Sequence, residues 1–104
     1  MRNKKIPGEI ISVKPALSQI LIEHLSAQET SGSDLIITKN EKETPQAYVV
    51  AIGPALDHTK LGFSVGSRVV IQGSYTPVPK PKNQERPLGI IEMHNIKAII
   101  EEKN

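Results

Sequence analysis

The sequence predicts an all-β domain, a small barrel or sandwich of short strands. Runs of about five residues rich in Ile and Val recur along the chain, each bounded by glycine, proline or polar clusters. No window of helical length holds a 3.6-residue apolar period, and eight prolines interrupt any long helix. The 104 residues form one domain near the lower limit for a fold held by its apolar core alone, so we expect oligomerisation to supplement that core.

Six segments are predicted as strands because each combines β-branched residues with turn formers at its ends. In chain order they are residues 9–13, 19–23, 48–52, 68–72, 89–93 and 96–101. Pro15 and Pro45 lie where predicted strands begin or end, and a missing N–H costs little at such positions.

The first and last predicted strands present edges whose unpaired N–H and C=O groups invite pairing with another chain. Pairing one subunit's end with its neighbour's start would bury the aliphatic residues of both strands. We therefore predict a ring or other homo-oligomer. Its predicted subunit interface includes Ile11, Val13, Ile99 and Ile100.

A long polar stretch, residues 25–46, separates the second and third predicted strands and carries one apolar tripeptide, Leu35-Ile36-Ile37. Its polar flanks cannot bury enough apolar surface to offset their ordering entropy, so residues 26–44 are predicted as a mobile loop. A loop of about 20 residues in a small domain is often functional. We predict that the tripeptide binds a hydrophobic groove on another protein. The alternative is an ordinary core strand at residues 35–37.

The residues just before the tripeptide are typical of a turn. Gly32 and Ser33 supply the turn that lets the tripeptide project, and Asp34 shapes it through a side-chain hydrogen bond to the backbone. A second irregular stretch, residues 75–87, is rich in proline and predicts a stiff, extended surface connection between strands.

Composition limits the class of protein. The absence of cysteine excludes disulfides and thiolate metal sites and fits a reducing compartment. No apolar run approaches the roughly 18 residues of a membrane span, and no apolar segment follows the basic first residues as in a secretory signal. We therefore expect a soluble cytoplasmic protein that does not bind membranes.

Sequence signals for catalysis are weak. Residues 62–66, Gly-Phe-Ser-Val-Gly, match the letters of a nucleophile elbow, but that motif needs a strand-to-helix turn and a strand follows here, so a β-turn is predicted. His24, His58 and His94 are widely separated and are predicted as surface or strand-end residues rather than metal ligands. We predict a protein that is not an enzyme and has no catalytic residues, metal or cofactor.

Two basic clusters raise a different function. They are Arg2 to Lys5, and Lys80 and Lys82 with Arg86. The net charge is only +2 and few aromatic residues are present to stack bases, so nucleic-acid binding is not the main prediction. A small β-barrel adaptor or nucleic-acid binder that uses residues 80–86 remains an alternative. A structural oligomer, such as a shell or virion component, is a third possibility.

Taken in order, the segments resemble the chaperonin-10 family of co-chaperonins over residues 12–101. Val13-Lys14-Pro15 is similar to the family's opening strand motif. Residues 31–38 are similar to its mobile loop, with Leu35-Ile36-Ile37 at the apolar tripeptide. Residues 47–53, Val65-Gly66-Ser67 and residues 95–101 resemble later strands or strand entries of the family. The ordered set is far more specific than any one motif.

The resemblance implies a GroES-like β-barrel at residues 12–104, after an N-terminal extension at residues 1–11. It implies a heptamer whose partner is a chaperonin-60 (GroEL-like) ring. Leu35, Ile36 and Ile37 would bind the partner's apical domains, and the cap would enclose a folding client during the partner's ATP cycle. The chain itself would bind neither ATP nor nucleic acid.

The chain departs from the family pattern in three places. The connection at residues 53–65 is short where bacterial members carry a hairpin that helps to roof the dome. Asp34 stands where many members have glycine before the tripeptide, and residues 1–11 extend beyond the usual start. These features are similar to those of phage-encoded co-chaperonins, which act in the host cytoplasm.

Overall fold

A computed structural model describes residues 7–26, residue 29 and residues 45–102. The described residues hold six strands in one antiparallel sheet of order β4-β5-β1-β2-β3-β6. The strands are β1 (Gln19–His24), β2 (Gln46–Ile52), β3 (Arg68–Ile71), β4 (Thr76–Val78), β5 (Leu88–Glu92) and β6 (Ile96–Ile100). A single 3-10 turn, Met93–Asn95, links β5 to β6. The all-β prediction is confirmed.

Five of the six predicted strands are confirmed, with ends that differ by no more than two residues. The strand predicted at residues 9–13 is wrong, because residues 7–16 carry no strand in this chain. An apolar pattern specifies a strand only when a partner edge exists to satisfy its backbone groups.

The prediction of a stiff, extended surface connection at residues 75–87 missed β4, which pairs with β5 despite Pro77. Proline is tolerated there because β4 is an edge strand.

The main cluster of buried residues lies on one face of the sheet. Its buried members come from β1, β2, β3 and β5, together with Phe63 from the connection between β2 and β3; they are Ile20, Ile22, Ala47, Val49, Phe63, Val69, Ile71 and Ile91. The half-buried Leu56 and Leu61 pack against this cluster from the same connection. A sandwich requires two sheets, whereas the described strands form one sheet with β4 and β6 at its edges.

Two irregularities in register shape the sheet. Leu21 pairs with Ala51 and Ile22 with Val49, so Val50 is an extra residue on β2. A second register shift lies between β3 and β6. Such bulges bend a strand and increase its twist, which helps a single sheet to curl around its own apolar face. The first bulge also places Val49 and Ile52 on the core side although they are three residues apart.

Glycine is required where β2 ends. A Cβ on Gly53 would overlap the carbonyl oxygen of Leu17 and lie 2.7 Å from that of Gln19. The Gly53 amide donates to the Gln19 carbonyl at 2.8 Å, and the Ala55 amide donates to the Leu17 carbonyl at 2.9 Å. The turn before β1 is therefore held directly against the end of β2.

Candidate functional site

The residues predicted to bind a partner and to form the turn before them lie outside the described residues. They are Gly32, Ser33, Asp34, Leu35, Ile36 and Ile37. The structure describes the frame from which this segment departs and to which it returns. The four residues Leu25, Ser26, Pro45 and Gln46 are called the loop base below.

The loop base holds both ends of the segment together. The Leu25 amide donates to the Gln46 carbonyl at 3.0 Å, and the Ile71 amide donates to the Pro45 carbonyl at 3.0 Å. Leu25 is 4% exposed, so it anchors the exit by burial as well as by hydrogen bonding. The chain therefore leaves the sheet after Leu25 and rejoins it at Gln46, at two neighbouring, hydrogen-bonded positions.

The exit from β1 carries a capping box, the reciprocal pair of hydrogen bonds that begins a helix. The Ser26 amide donates to Glu29 Oε1 at 2.9 Å, and the Glu29 amide donates to Ser26 Oγ at 3.2 Å. The bond from the Ser26 amide, together with one from Arg86, lowers the pKa of Glu29 below its ordinary value because both stabilise the carboxylate. Ser26 and Glu29 thus have a defined position relative to each other.

A row of polar side chains crosses the outer face of the sheet beside the loop base. Glu23 on β1 lies opposite Tyr48 on β2, which lies opposite Arg68 on β3, so the three share one face. The Tyr48 hydroxyl donates to Glu102 Oε2 at 2.5 Å, and Arg68 Nη1 donates to the same oxygen at 3.2 Å. Donation to the carboxylate raises the pKa of Tyr48, because ionisation would remove the hydrogen bond. Arg68 Nε also donates to Gln46 Oε1 at 2.8 Å, which ties the row to the loop base.

Arg86 joins this row to the capping box. Its Nε donates to Glu29 Oε2 at 2.6 Å, and its Nη1 lies 3.5 Å from Glu23 Oε1. The guanidinium carbon lies 5.6 Å from the centroid of the Tyr48 ring, within the range of a cation–π contact. One side chain thus contacts β1, β2 and the start of the segment between β1 and β2.

The sequence identifies Arg86 only as part of a basic cluster, and it does not predict the contacts of Arg86 with Glu29, Glu23 and Tyr48. The Ser-x-x-Glu pattern at residues 26–29 was a readable signal for the capping box. No local pattern joins Glu29 to Arg86, because 57 residues separate them. The sheet brings the two together when β5 pairs with β1.

The cations of the second basic cluster have partners. Besides the contacts of Arg86, Lys80 Nζ donates to the Glu85 carbonyl at 3.2 Å, and Lys82 Nζ lies 3.8 Å from Glu9 Oε1. Carboxylates beside Arg86 and Lys82 reduce the positive potential that phosphate binding needs. The described part of the chain therefore gives no support to the nucleic-acid alternative.

The four predicted interface residues lie on exposed or half-buried surface. Ile11 is 89% exposed and Ile99 45% exposed, while Val13 and Ile100 are half-buried. Strand β6, which contains Ile99 and Ile100, is at the sheet edge. A shallow groove beside it is lined mainly by apolar side chains, namely Leu61, Phe63, Met93, Ile96, Ala98 and Ile99. An edge strand beside exposed apolar surface is suited to pairing with another strand.

The region that matched a nucleophile elbow is a turn that leads into a strand, as predicted. The Ser67 amide donates to the Ser64 carbonyl at 3.0 Å, Gly66 has φ of 97°, and β3 begins at Arg68. Among the described residues, no group of three or more His, Asp or Glu side chains could hold a metal ion. No helix in the same ranges is long and apolar enough to cross a membrane.

The model of one protein family, described as "Chaperonin 10 Kd subunit", matches residues 12–100. The chain belongs to this family. Relatives named "Co-chaperonin GroES" include that of Clostridium perfringens (strain 13 / Type A), which is 32% identical over 96 residues, 88% of this chain and 100% of the relative. That of Streptomyces coelicolor is also 32% identical over 96 residues, covering 88% of this chain and 92% of the relative. That of Clostridium botulinum (strain Alaska E43 / Type E3) is 33% identical over 94 residues, 86% and 98% of the two chains.

Membership confirms the resemblance read from the ordered strand motifs, and it places the observed β sheet in the chaperonin-10 fold. The match begins at Ser12 and ends at Ile100, so it includes all six strands. It also spans the loop base, the row of polar side chains from Glu23 to Arg68, and Arg86.

Proposed function

We propose that this chain is a non-catalytic co-chaperonin that caps a chaperonin-60 ring and helps to enclose a folding client. The observation that carries the proposal is the family match over residues 12–100, together with relatives of that name that align over nearly their whole length. In this role Leu35, Ile36 and Ile37 insert into an apolar groove of the partner, and Gly32, Ser33 and Asp34 form the turn that presents them. ATP is bound and hydrolysed by the partner rather than by this chain.

The geometry of the loop base supports this role. The Leu25 amide donates to the Gln46 carbonyl, so the two ends of the intervening segment lie side by side on the sheet. Because the sheet itself holds both ends, this frame suits a segment that binds a partner.

The magnitudes favour weak binding by each loop. Full burial of an aliphatic side chain contributes roughly 1.5–3 kcal/mol, so the tripeptide can supply about 5–9 kcal/mol. Ordering one backbone residue costs roughly 1–2 kcal/mol, so fixing six residues of a loop costs a similar amount. Several loops on one oligomer raise the overall affinity by factors of about 10² to 10⁴. The proposed function thus requires an oligomer.

We propose that this oligomer is a ring, a heptamer, built by pairing β6 of one subunit with residues 9–13 of the next. The exposed Ile11 would then cover the apolar groove around Ile99. This pairing would give residues 9–13 the partner strand that they lack within one chain. It would also cover the edge of β6, which a natural protein rarely leaves open.

Substitution of Ile36 tests the binding role. In Ile36→Asp a charge replaces an apolar anchor, and we expect loss of binding to a nucleotide-loaded chaperonin ring in native mass spectrometry. Asn40→Asp is the matched control, since it adds the same charge to the same segment outside the tripeptide, and it should bind like the wild type. Binding by Ile36→Asp at wild-type strength would refute the role of the tripeptide. A mutant that no longer assembles would instead favour the alternative of a core strand at residues 35–37.

Substitution of Ile99 tests the ring. We expect Ile99→Lys to be a monomer in native mass spectrometry at concentrations where the wild type is a heptamer. Val65→Lys is the matched control, because Val65 is an exposed aliphatic residue in the turn before β3 that does not line the groove beside β6. An unchanged oligomer in Ile99→Lys, or a monomeric wild type well above micromolar concentration, would refute this assembly.

A further inference from the structure

Arg86 contacts three parts of the chain that are far apart in sequence. Its guanidinium reaches Glu29 just beyond the loop base, Glu23 on β1 and the ring of Tyr48 on β2. We infer that Arg86 is a positioning residue for partner binding: it holds Glu29, and with it the Ser26–Glu29 capping box, against the outer face of the sheet, beside the point where the binding segment begins. This inference rests on the proposed co-chaperonin function.

The two oxygens of Glu29 have separate tasks. Oε1 accepts the Ser26 amide of the capping box, and Oε2 accepts Arg86 Nε at 2.6 Å. The first bond shapes the turn locally, and the second attaches that turn to the body of the protein. Without Arg86 the capping box can still form and Leu25 still anchors its start, but Glu29 at its far end would lose its described contact with the sheet.

The other partners of Arg86 are themselves held in place. Glu23 lies on a strand paired on both sides, and its Oε2 accepts Gln84 Nε2 at 2.7 Å. Tyr48 is held by its hydrogen bond to Glu102. The Arg86 side chain is 38% exposed and touches both of these groups, so its orientation is set before it meets Glu29. Exposed ion pairs usually contribute little because two mobile side chains must be ordered, but here the arginine is already ordered.

The effect of Arg86 on partner affinity follows from the conformational entropy of the binding segment. A turn that is already attached to the sheet leaves less of the segment to be ordered when the partner binds. Loss of one half-exposed pair should weaken binding by each loop about two- to fivefold. Because the loops of one ring bind together, the loss multiplies to at least the order of 10² in the affinity of a heptamer.

Three variants and one control test the inference. Arg86→Gln removes the cation. Glu29→Gln removes the ionic partner but keeps a side chain that can complete a capping box. Their double variant gives the coupling between them. Lys80→Gln is the control, since it removes the same charge from the same connection and, among the described residues, the Lys80 ammonium donates to the Glu85 carbonyl and to no carboxylate.

Binding of each variant to a chaperonin ring with nucleotide is measured by calorimetry. We expect Arg86→Gln and Glu29→Gln to weaken binding by similar factors, the double variant to be no weaker than either one, and Lys80→Gln to match the wild type. Unchanged or tighter binding in Arg86→Gln would overturn the inference. Independent, additive losses would also overturn it, because they would show that Arg86 does not act through Glu29.

A second measurement separates this inference from the proposed function. The amide shift of Ser26, which donates to Glu29, is followed against pH by nuclear magnetic resonance, with no chaperonin present. Glu23 and Glu85 line the same pocket, so the Ser26 amide is chosen because its hydrogen bond makes it report on Glu29. The midpoint should rise in Arg86→Gln and stay unchanged in Lys80→Gln.

If the wild type binds no chaperonin, the proposed function fails, and this titration alone shows whether Arg86 holds the turn. An unchanged midpoint in Arg86→Gln would overturn that holding role whatever the partner.

Discussion

The contact between Gly89 and Tyr75 gives the sharpest test of the fold. Gly89 is buried on β5, and a Cβ there would lie 2.7 Å from Tyr75 Cε2 and 3.1 Å from Cγ, with still closer overlap on the ring edge. Rotation of the ring about its Cβ–Cγ bond moves Cδ2 and Cε2 but leaves Cγ at 3.1 Å, so the side chain must also shift by a few tenths of an ångström. Gly89→Ala must therefore move Tyr75, which packs on the core cluster and stacks on His24 at 5.2 Å between ring centroids.

Two opposing effects set the magnitude. Overpacking of this kind costs typically about 1–3 kcal/mol. Replacing a strand glycine by alanine returns about 0.5–1 kcal/mol, because glycine loses more backbone freedom on folding. We expect Gly89→Ala to destabilise the protein by about 1 kcal/mol in the free energy of unfolding, the difference between the middle values of these two ranges.

The sign of the effect should reverse when the ring is removed. In a Tyr75→Ala background the overlap is absent, so Gly89→Ala should stabilise by about 0.5–1 kcal/mol. Urea unfolding followed by circular dichroism measures both backgrounds, at one protein concentration so that assembly contributes equally. The same destabilisation in both backgrounds would refute the contact and the placement of Tyr75 over β5.

Two further predictions concern the end of β2 and the outer face. Gly53→Ala should lower the free energy of unfolding by more than Gly89→Ala does, by about 3 kcal/mol or more. The added Cβ would meet backbone oxygens, which cannot rotate away as a side chain can. An unfolding midpoint in urea equal to that of the wild type would contradict the close approach. The pKa of Tyr48 is raised above 10.0, so its hydrogen bond to Glu102 stabilises the fold fully below pH 10 and is lost as the pH rises through the folded-state pKa. The difference in unfolding free energy between the wild type and Tyr48→Phe should therefore disappear in alkaline solution. Absorbance at the tyrosinate band should show that Tyr48 ionises at lower pH in Glu102→Gln than in the wild type. Identical titration curves for these two proteins would contradict the hydrogen bond.

Most strands could be predicted because their signal is local. Segments such as 19–23 and 68–72 combine β-branched residues with turn formers at their ends, and these features depend only on neighbours in sequence. Strand β4 could not be predicted in this way, since Thr76-Pro77-Val78 has a proline at its centre and owes its pairing to the edge of β5. Residues 9–13 are the opposite case. Their pattern is that of a strand, but within one chain they have no partner strand.

The candidate site divides in the same way. The apolar tripeptide at residues 35–37 and its turn formers are visible in the sequence, because an isolated aliphatic run between polar flanks needs no knowledge of the fold. The contacts that frame the exit are not visible. Arg86 meets Glu29 and Glu23 only because β5 pairs with β1, and neither the composition nor the spacing of these residues indicates that meeting.

By itself, the sequence determined the all-β class, five strands and the order of motifs that identifies the chaperonin-10 family. These follow from short-range preferences of the backbone and side chains. Only the tertiary structure decided the bulge at Val50, the pairing of β4 and the polar contacts around Arg86. Register and long-range contacts depend on which strand edges pair when the sheet forms around its core. That pairing depends on the whole chain rather than on any one segment.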